Sequence, residues 1–485
     1  DEFQDTSRMQ WSILRPLLEE SLASGGKTMI VGDVKQSIYR WRNGDWNLLS
    51  SQVEYDLPGV ENKTLDFNFR SRPNIIRFNN HLTHAMIPLF QNAATGGSEA
   101  IPDMDISKLY NAYRQTPSHT GEPFGEIKMH FIDEPDDEDD DWKQTALDEM
   151  VDEMKSLQDK GYSPGDMAVL TRKNDEAAAV ALRLMKEDQQ ADYSFPVVSA
   201  ASLKLTEHPA IQLLLSALKW IDNPDDHIAL SALVHTWQID ILHNKTYQPG
   251  LINTDDQLLI ERLMLDLPRA FQNQYQKLTA WPLYDLTENL IHWFGLDEKA
   301  DAVAFLNAFQ DNVLSYSERN PVEIAGFLNW FEQKDVKLDM PDTADAVVIS
   351  TVHKAKGLEF RFLFMPYTDW PVSNNKGSKL WVEPHNEPFN ALPLVIVDAV
   401  KDLAKSQFVD EYQREVFNQH VDMLNILYVA VTRAEEGLYV WGPAFEPNGK
   451  STPKCASDFL HMALHNASVT GDVDNLISEF DNYLN

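Results

Sequence analysis

A single cysteine, Cys455, occurs in 485 residues; that excludes an internal disulfide framework and fits a reducing compartment. No run of about eighteen apolar residues occurs, so neither a membrane-spanning helix nor a secretory leader is expected, and a cytoplasmic location is. Cations are scarce: 41 Lys and Arg against 75 Asp and Glu leave a net charge of −34. A chain this acidic is a poor non-specific binder of nucleic acid, so any DNA contact must run through a local basic and aromatic channel. Internal repeats are lacking. A phosphate-cradling glycine loop is lacking too. Ser24–Thr28, SGGKT, ends like one, but such a loop needs a strand before it, a helix after it and a glycine at position 21, which is Ser21.

What is present suits a globular protein of two or three domains: 43% apolar and 24% charged residues over 485 positions. The chain opens on Asp-Glu-Phe without a methionine, directly at a candidate motif, and a fragment of something longer is the expectation. The densest chemistry lies in Gly32–Asp45, GDVKQSIYRWRNGD, after an apolar run, Met29–Val31, that reads as a buried strand. Gln36 is an amide able to donate to a phosphate and accept from a water. Tyr39 and Trp41, two apart on an extended segment, would face one side, with Arg40 and Arg42 interleaved as cations. That pattern suits stacking on unpaired bases; equally, the rings could be core and the arginines solvated.

Around this stretch, DEFQDTS at residues 1–7 places two carboxylates where one could bind Mg²⁺ and the other activate water. Residues 8–23 read as an amphipathic helix, with Trp11, Leu14, Leu17, Leu18 and Leu22 at helical spacing. LDFNFRSRP at 65–73 sets Phe69 beside Arg70, a ring for a base and a guanidinium for a phosphate; a strand end with a surface arginine is the alternative. A helix follows over about 74–90. From Gly125, strands at IKMHFI, Met167–Thr171 and Pro196–Val198 alternate with helices over 142–160 and 175–187, which predicts a parallel, helix-covered sheet. The acidic run at 133–141 reads as a solvated loop. Residues 207–334 read as helices only, an inserted helical domain. Ala346–Pro366 returns to strand, loop, strand, with Thr351, His353, Lys354, Lys356, Gly357 and Glu359 in the loop. Glycine there permits close backbone approach, and Glu359 could accept from a ribose hydroxyl. A loop region over 367–407 precedes a helix, Gln419–Glu436, in which Arg433 either reaches a phosphate or merely complements the helix dipole. A strand at 437–441 and a tail helix at 456–465 complete the pattern.

DEFQDTS, GDVKQSIYRWRNGD, NFRSRP, STVHKAKGLEF and LYVAVTRAEE, in this order, resemble motifs II to VI of the UvrD/Rep/RecB-type superfamily 1A DNA helicases, with LNILYVAVTRA closest to the RecB/AddA branch. The resemblance implies an α/β fold of RecA-like P-loop NTPase domains. Residues 1–112 would be the second half of domain 1A, 113–205 and 341–447 two segments of domain 2A, 206–340 an all-helical 2B insertion and 448–485 a tail. It implies ATP and Mg²⁺ as cofactors and single-stranded and duplex DNA as partners, with a possible helicase–nuclease partner subunit. By position, Asp1 would ligate Mg²⁺, Glu2 would activate the attacking water, and Gln36 would sense the γ-phosphate. Arg70 and Arg433 would stabilise its developing charge. Phe69, where the family usually has tyrosine, would stack on adenine, Gly357 would allow the nucleotide close, and Glu359 would meet the ribose. Tyr39, Trp41 and Arg42 would line the DNA path, with Thr351 and His353 at its backbone. The implied activity is ATP-driven translocation and unwinding in repair or recombination, usually 3′→5′. The Walker A loop is missing, so this polypeptide alone is not expected to hydrolyse ATP. Two alternatives stay open: the helicase portion of a helicase–nuclease subunit, and a non-enzymatic helicase-like scaffold.

Overall fold

The computed structural model describes residues 2–96, 104–118, 124–133, 141–188, 192–199, 204–244, 246–247, 256–299, 302–318, 323–334, 336, 345–372, 379–387, 389–445 and 453–465. The chain divides into two compact units, residues 1–177 with 345–485, and residues 178–344.

The first unit is built on parallel strands. β1 (Glu126–Ile132), β2 (Met167–Thr171), β3 (Val347–Thr351) and β4 (Phe360–Met365) are joined by β7 (Ala434–Pro443). Their order in the sheet is β1-β7-β4-β2-β3, every pairing parallel. Parallel strands with both faces covered read as continuous apolar runs, and every residue of β2 is buried. Alternate residues of β7 serve opposite faces. Leu438 and Val440 join the core formed with α2 (Pro73–Thr95), α4 (Val409–Val431) and α5 (Ala456–His465). Trp441 instead donates its indole N–H to Glu149 of α3 (Trp142–Asp159) at 2.9 Å, on the other face. Helices therefore cover the sheet on both sides. α4 is buried continuously from Met423 to Val431, the pattern of a central helix rather than a surface one.

Several local expectations need correction. Met29–Val31 is not a buried strand: Met29 is 86% exposed, and a backbone bond from the Phe3 N–H to the Val31 carbonyl at 3.0 Å is too little for a ladder. α1 (Arg8–Ala23) forms with a Ser7/Gln10 capping box, but of its expected apolar face only Trp11 is buried, while Leu14, Leu17 and Leu22 are exposed. The Tyr39–Trp41 segment is not extended; Arg40–Arg42 is a 3-10 turn closed by Asn43 in the left-handed region. α4 ends at Val431, and Ala434–Glu436 open β7, whose pairing with β4 takes these residues out of the helix. The 367–407 region contains an antiparallel hairpin, β5 (Lys379–Val382) with β6 (Val395–Asp398). Most of the acidic run, residues 134–140, and the end of the tail, 466–485, lie outside the described residues.

Between Pro209 and Lys334 the described residues of the second unit are mostly helical, with Trp220, Phe271, Phe294, Phe309 and Phe327 in its core. Asp226 caps the helix at His227 through the Ile228 and Ala229 amides, and a π-helical stretch at Thr236–Ile241 interrupts the regular pattern. Among the described residues no helix is long and apolar enough to cross a membrane.

Candidate nucleotide and DNA site

All the candidate residues that are described fall in the first unit; Asp1 lies outside the described residues. They form two groups joined by the Gly32–Asp45 segment.

The first group centres on Arg433, two residues past the end of α4. Arg433 is 2% exposed. Nε donates to the Val429 carbonyl at 3.0 Å, Nη1 to the Leu358 carbonyl at 3.2 Å and Nη2 to Thr432 Oγ1 at 3.1 Å. All three acceptors are neutral, and no carboxylate of the described residues pairs with it. Burial, then the charge of Arg70, lowers its pKa to about 10, while Asp33 and Glu2 pull the other way. A buried cation satisfied only by neutral acceptors is poised for an anion. Arg70 reaches the same place: its Nε donates to Glu359 at 2.9 Å and its Nη1 to the Thr432 carbonyl at 3.3 Å. Arg70, Glu359 and Phe69 line a cleft of ≈ 590 Å³ with Asn68, Gln115 and Glu435. Phe69 is 76% exposed, its ring open to the solvent side of that cleft. Gly357 has φ +83, a left-handed turn that favours glycine, and a side chain there would meet no atom within 4 Å. The need is for backbone conformation rather than for space within the protein.

Glu2 immediately precedes the Phe3–Asp5 turn, its backbone in the left-handed region. Glu2 ion-pairs with Lys356 at 3.0 Å, and Lys356 also bonds Asp5. Gln4, buried and not singled out by sequence, ties this turn to the next segment. Its Nε2 donates to Glu2 at 2.6 Å, its Oε1 accepts from the Asp33 N–H at 3.0 Å, and its carbonyl accepts from Ser37 Oγ at 3.0 Å. Gln36 donates to Asp33 at 3.1 Å.

The second group is aromatic. Tyr39 and Trp41 rings stand 6.2 Å apart, and the His353 ring lies 5.9 and 6.3 Å from them. Trp41 is 66% exposed, while the Tyr39 hydroxyl donates to the His353 carbonyl at 2.8 Å. The Arg42 guanidinium sits 4.5 Å from the Trp41 ring and 5.4 Å from the Tyr39 ring, a cation–π arrangement. His353 Nδ1 accepts from Arg172 at 3.0 Å. Burial, followed by the charge of Arg172, lowers its pKa to about 4, so the ring is neutral at pH 7. Thr351 ends β3 with its side chain buried. Sequence reasoning passed over Arg172; its signal was a cation at the end of the strand Met167–Thr171, whose first four residues are apolar. Arg40 does not share the face of Arg42: it turns inward to Glu415 and Asp422.

Comparisons with known proteins give the family. The UvrD/REP helicase N-terminal domain model matches residues 1–55, and the UvrD-like helicase C-terminal domain model matches residues 64–261 and 253–441. An ATP-dependent helicase/nuclease subunit of Natranaerobius thermophilus is 23% identical over 95% of this chain and 40% of its own length. Its counterpart in Bacillus pumilus is 25% identical over 100% of this chain and 41% of its own length. The ATP-dependent DNA helicase PcrA of Staphylococcus aureus is 24% identical over 91% and 54% respectively. The chain thus spans about half or less of the length of these relatives. With family models covering most of its residues, the chain belongs to the UvrD-like helicase family.

Proposed function

We propose that this chain is the motif II-to-VI portion of an ATP-dependent DNA helicase that couples ATP hydrolysis to translocation along single-stranded DNA and to duplex unwinding in repair or recombination. One observation carries the reading: charges from Glu2, Asp33 and Arg70, on three separate segments, all bear on the buried Arg433, while Asp33 and the ring of Trp41 lie on one fourteen-residue stretch. In this reading residues 1–112 belong to domain 1A, 113–205 and 341–447 to domain 2A, and 206–340 to a 2B insertion.

The residues fit Mg²⁺–ATP. Arg433 offers a buried positive charge with no carboxylate partner among the described residues, and Phe69 offers an open ring at the cleft. Mg²⁺ would arrive with the nucleotide, and one or two carboxylates, Asp1 among them, would complete its shell. Bound there, Mg²⁺–ATP supplies the phosphoryl group and the cation that neutralises it. Phe69 would hold the base and Gly357 and Glu359 the ribose side, Glu359 giving up Arg70 to do so. Arg70 and Arg433 would face the phosphates, and Gln36 would orient between Asp33 and the terminal phosphate. Glu2 would accept the proton of the attacking water once released from Lys356. Tyr39, Trp41, Arg42, Thr351 and His353 would hold the strand.

Two measurements test this. Oligo-dT binding, followed by fluorescence anisotropy, is expected to weaken by about 1–3 kcal/mol on Trp41→Ala; an unchanged affinity removes the rings from the DNA path. ATP turnover with single-stranded DNA is expected from the whole protein and not from these 485 residues, which contain no phosphate loop. Robust, Glu2-dependent turnover by this polypeptide overturns the second expectation. The helicase/nuclease name that several relatives share supports a narrower reading as the helicase part of such a protein, for which the whole protein would also degrade DNA.

A further inference from the structure

Arg40 lies between the two rings in sequence, yet its side chain leaves their side. Nη1 and Nη2 donate to the two oxygens of Glu415 at 2.7 and 3.0 Å, and Nε donates to Asp422 at 2.6 Å. Glu415 and Asp422 are seven residues apart on α4, two turns, and therefore on one face. Gln419, between them, donates to Glu415 at 3.0 Å. A forked guanidinium held at three nitrogens has one orientation, which a lysine ammonium could not reproduce. Buried ion clusters add little net stability compared with apolar packing of the same volume, so what this one supplies is arrangement. It ties the turn bearing Tyr39 and Trp41 to the helix that runs on to Arg433.

Resting on the reading above, we propose that Arg40, Glu415 and Asp422 form a latch of positioning residues. The latch sets the Tyr39–Trp41 ring pair against α4, so that a strand on the rings and a nucleotide at Arg433 bear on the same helix. The latch is built to open at one leg. Asp422 Oδ1 is buried with no hydrogen-bond partner, and burial raises its carboxyl to about 6 against the pull of Arg40. The charges facing it are Arg40 and Glu415 from the latch and Arg172 from the end of β2. A proton taken up near pH 6 would neutralise that leg and leave Glu415 in place. His353, the titratable ring against Trp41, stays neutral over the same range.

The test uses the 485-residue chain labelled with 5-fluorotryptophan, the Trp41 ¹⁹F resonance assigned with Trp41→Phe, and oligo-dT as the probe. The resonance is expected to move with a midpoint near pH 6 and to lose that transition in Asp422→Asn. In Glu415→Gln with Asp422→Asn it should broaden, with dT affinity about tenfold weaker and Trp41→Ala costing little more on that background, since coupled sites are not additive. Arg40→Lys should broaden the same resonance, and it decides the matter if the double variant does not fold. An unchanged resonance in Arg40→Lys, or losses that simply multiply, overturns the latch. If dT neither binds nor shifts Trp41, the DNA reading fails, while the pH midpoint still decides the latch.

Discussion

Arg433 separates function from stability at a single residue. Its burial lowers its own pKa to about 10, which means that the folded protein bears a cost to keep it charged. Replacement by an apolar residue of similar length removes that cost, which offsets the hydrogen bonds lost at the Val429 and Leu358 carbonyls. Arg433→Met is expected to hold or raise the melting temperature while cutting ATP turnover of the whole protein by about 10³-fold or more, the range of an arginine finger. A large fall in melting temperature, read by calorimetry, would instead make Arg433 structural. His353 offers a second check. Its folded pKa of about 4 lies below the ordinary 6.5, so the stability it contributes is present above pH 6.5 and is lost as pH falls through that value towards 4. Ring-carbon NMR should show no titration of His353 between pH 8 and about 5; a midpoint at the ordinary value would mean that Arg172 and the aromatic rings do not enclose it.

Among the elements, α4 does more than fill the core. Asn425, fully buried at its centre, donates to the carbonyls of Val34 and Ser37 at 3.2 and 2.9 Å and accepts from Tyr110 at 2.6 Å. Asn425→Ala strands two carbonyls and a hydroxyl and should cost about 2–4 kcal/mol by denaturant unfolding, since each buried orphan costs roughly 1–3. A loss under about 1 kcal/mol would mean that water replaces the amide. Such elements were legible in sequence to differing degrees. The helix at 456–465 and the strand at 167–171 formed as expected because periodicity and burial agreed there. Met29–Val31 failed because a short apolar run does not announce whether a ladder partner exists. The aromatic pair was legible as a pair, but its separation of Arg42 from Arg40 was not. Nothing local in YRWR says which guanidinium will meet Glu415 and Asp422, some 380 residues on. Arg433 was legible as a candidate cation; its burial among neutral acceptors came only from the packing of α4 against the Leu358 turn.

For the molecule as a whole, the net charge of −34 sets the character of DNA binding. The cations beside the aromatic row, Arg42, Arg172 and Lys356, are few. Each phosphate neutralised on a single strand contributes about 0.7 to the salt slope, so log affinity against log salt should fall with a shallow slope of about −1 to −2. Anisotropy titrations between low and physiological potassium chloride measure it, and a slope beyond about −4 would require a broad basic surface that the sequence does not supply. The sheet was predictable from the alternation of strands and helices, and the helical unit from its change of period. The grouping of the motifs with the sheet in one unit was not, because it depends on pairings that span the helical unit.

The sheet order also sets a clock. β7 lies between β1 and β4, yet it is made last of the three, about 300 residues after β1. At ribosomal rates of ~5–20 residues per second this is roughly 15–60 s. β1 waits with an open edge through all of that interval and β4, made only about 70 residues before β7, through roughly its last 4–14 s, so the nascent chain depends on keeping those edges apart until its final strand emerges.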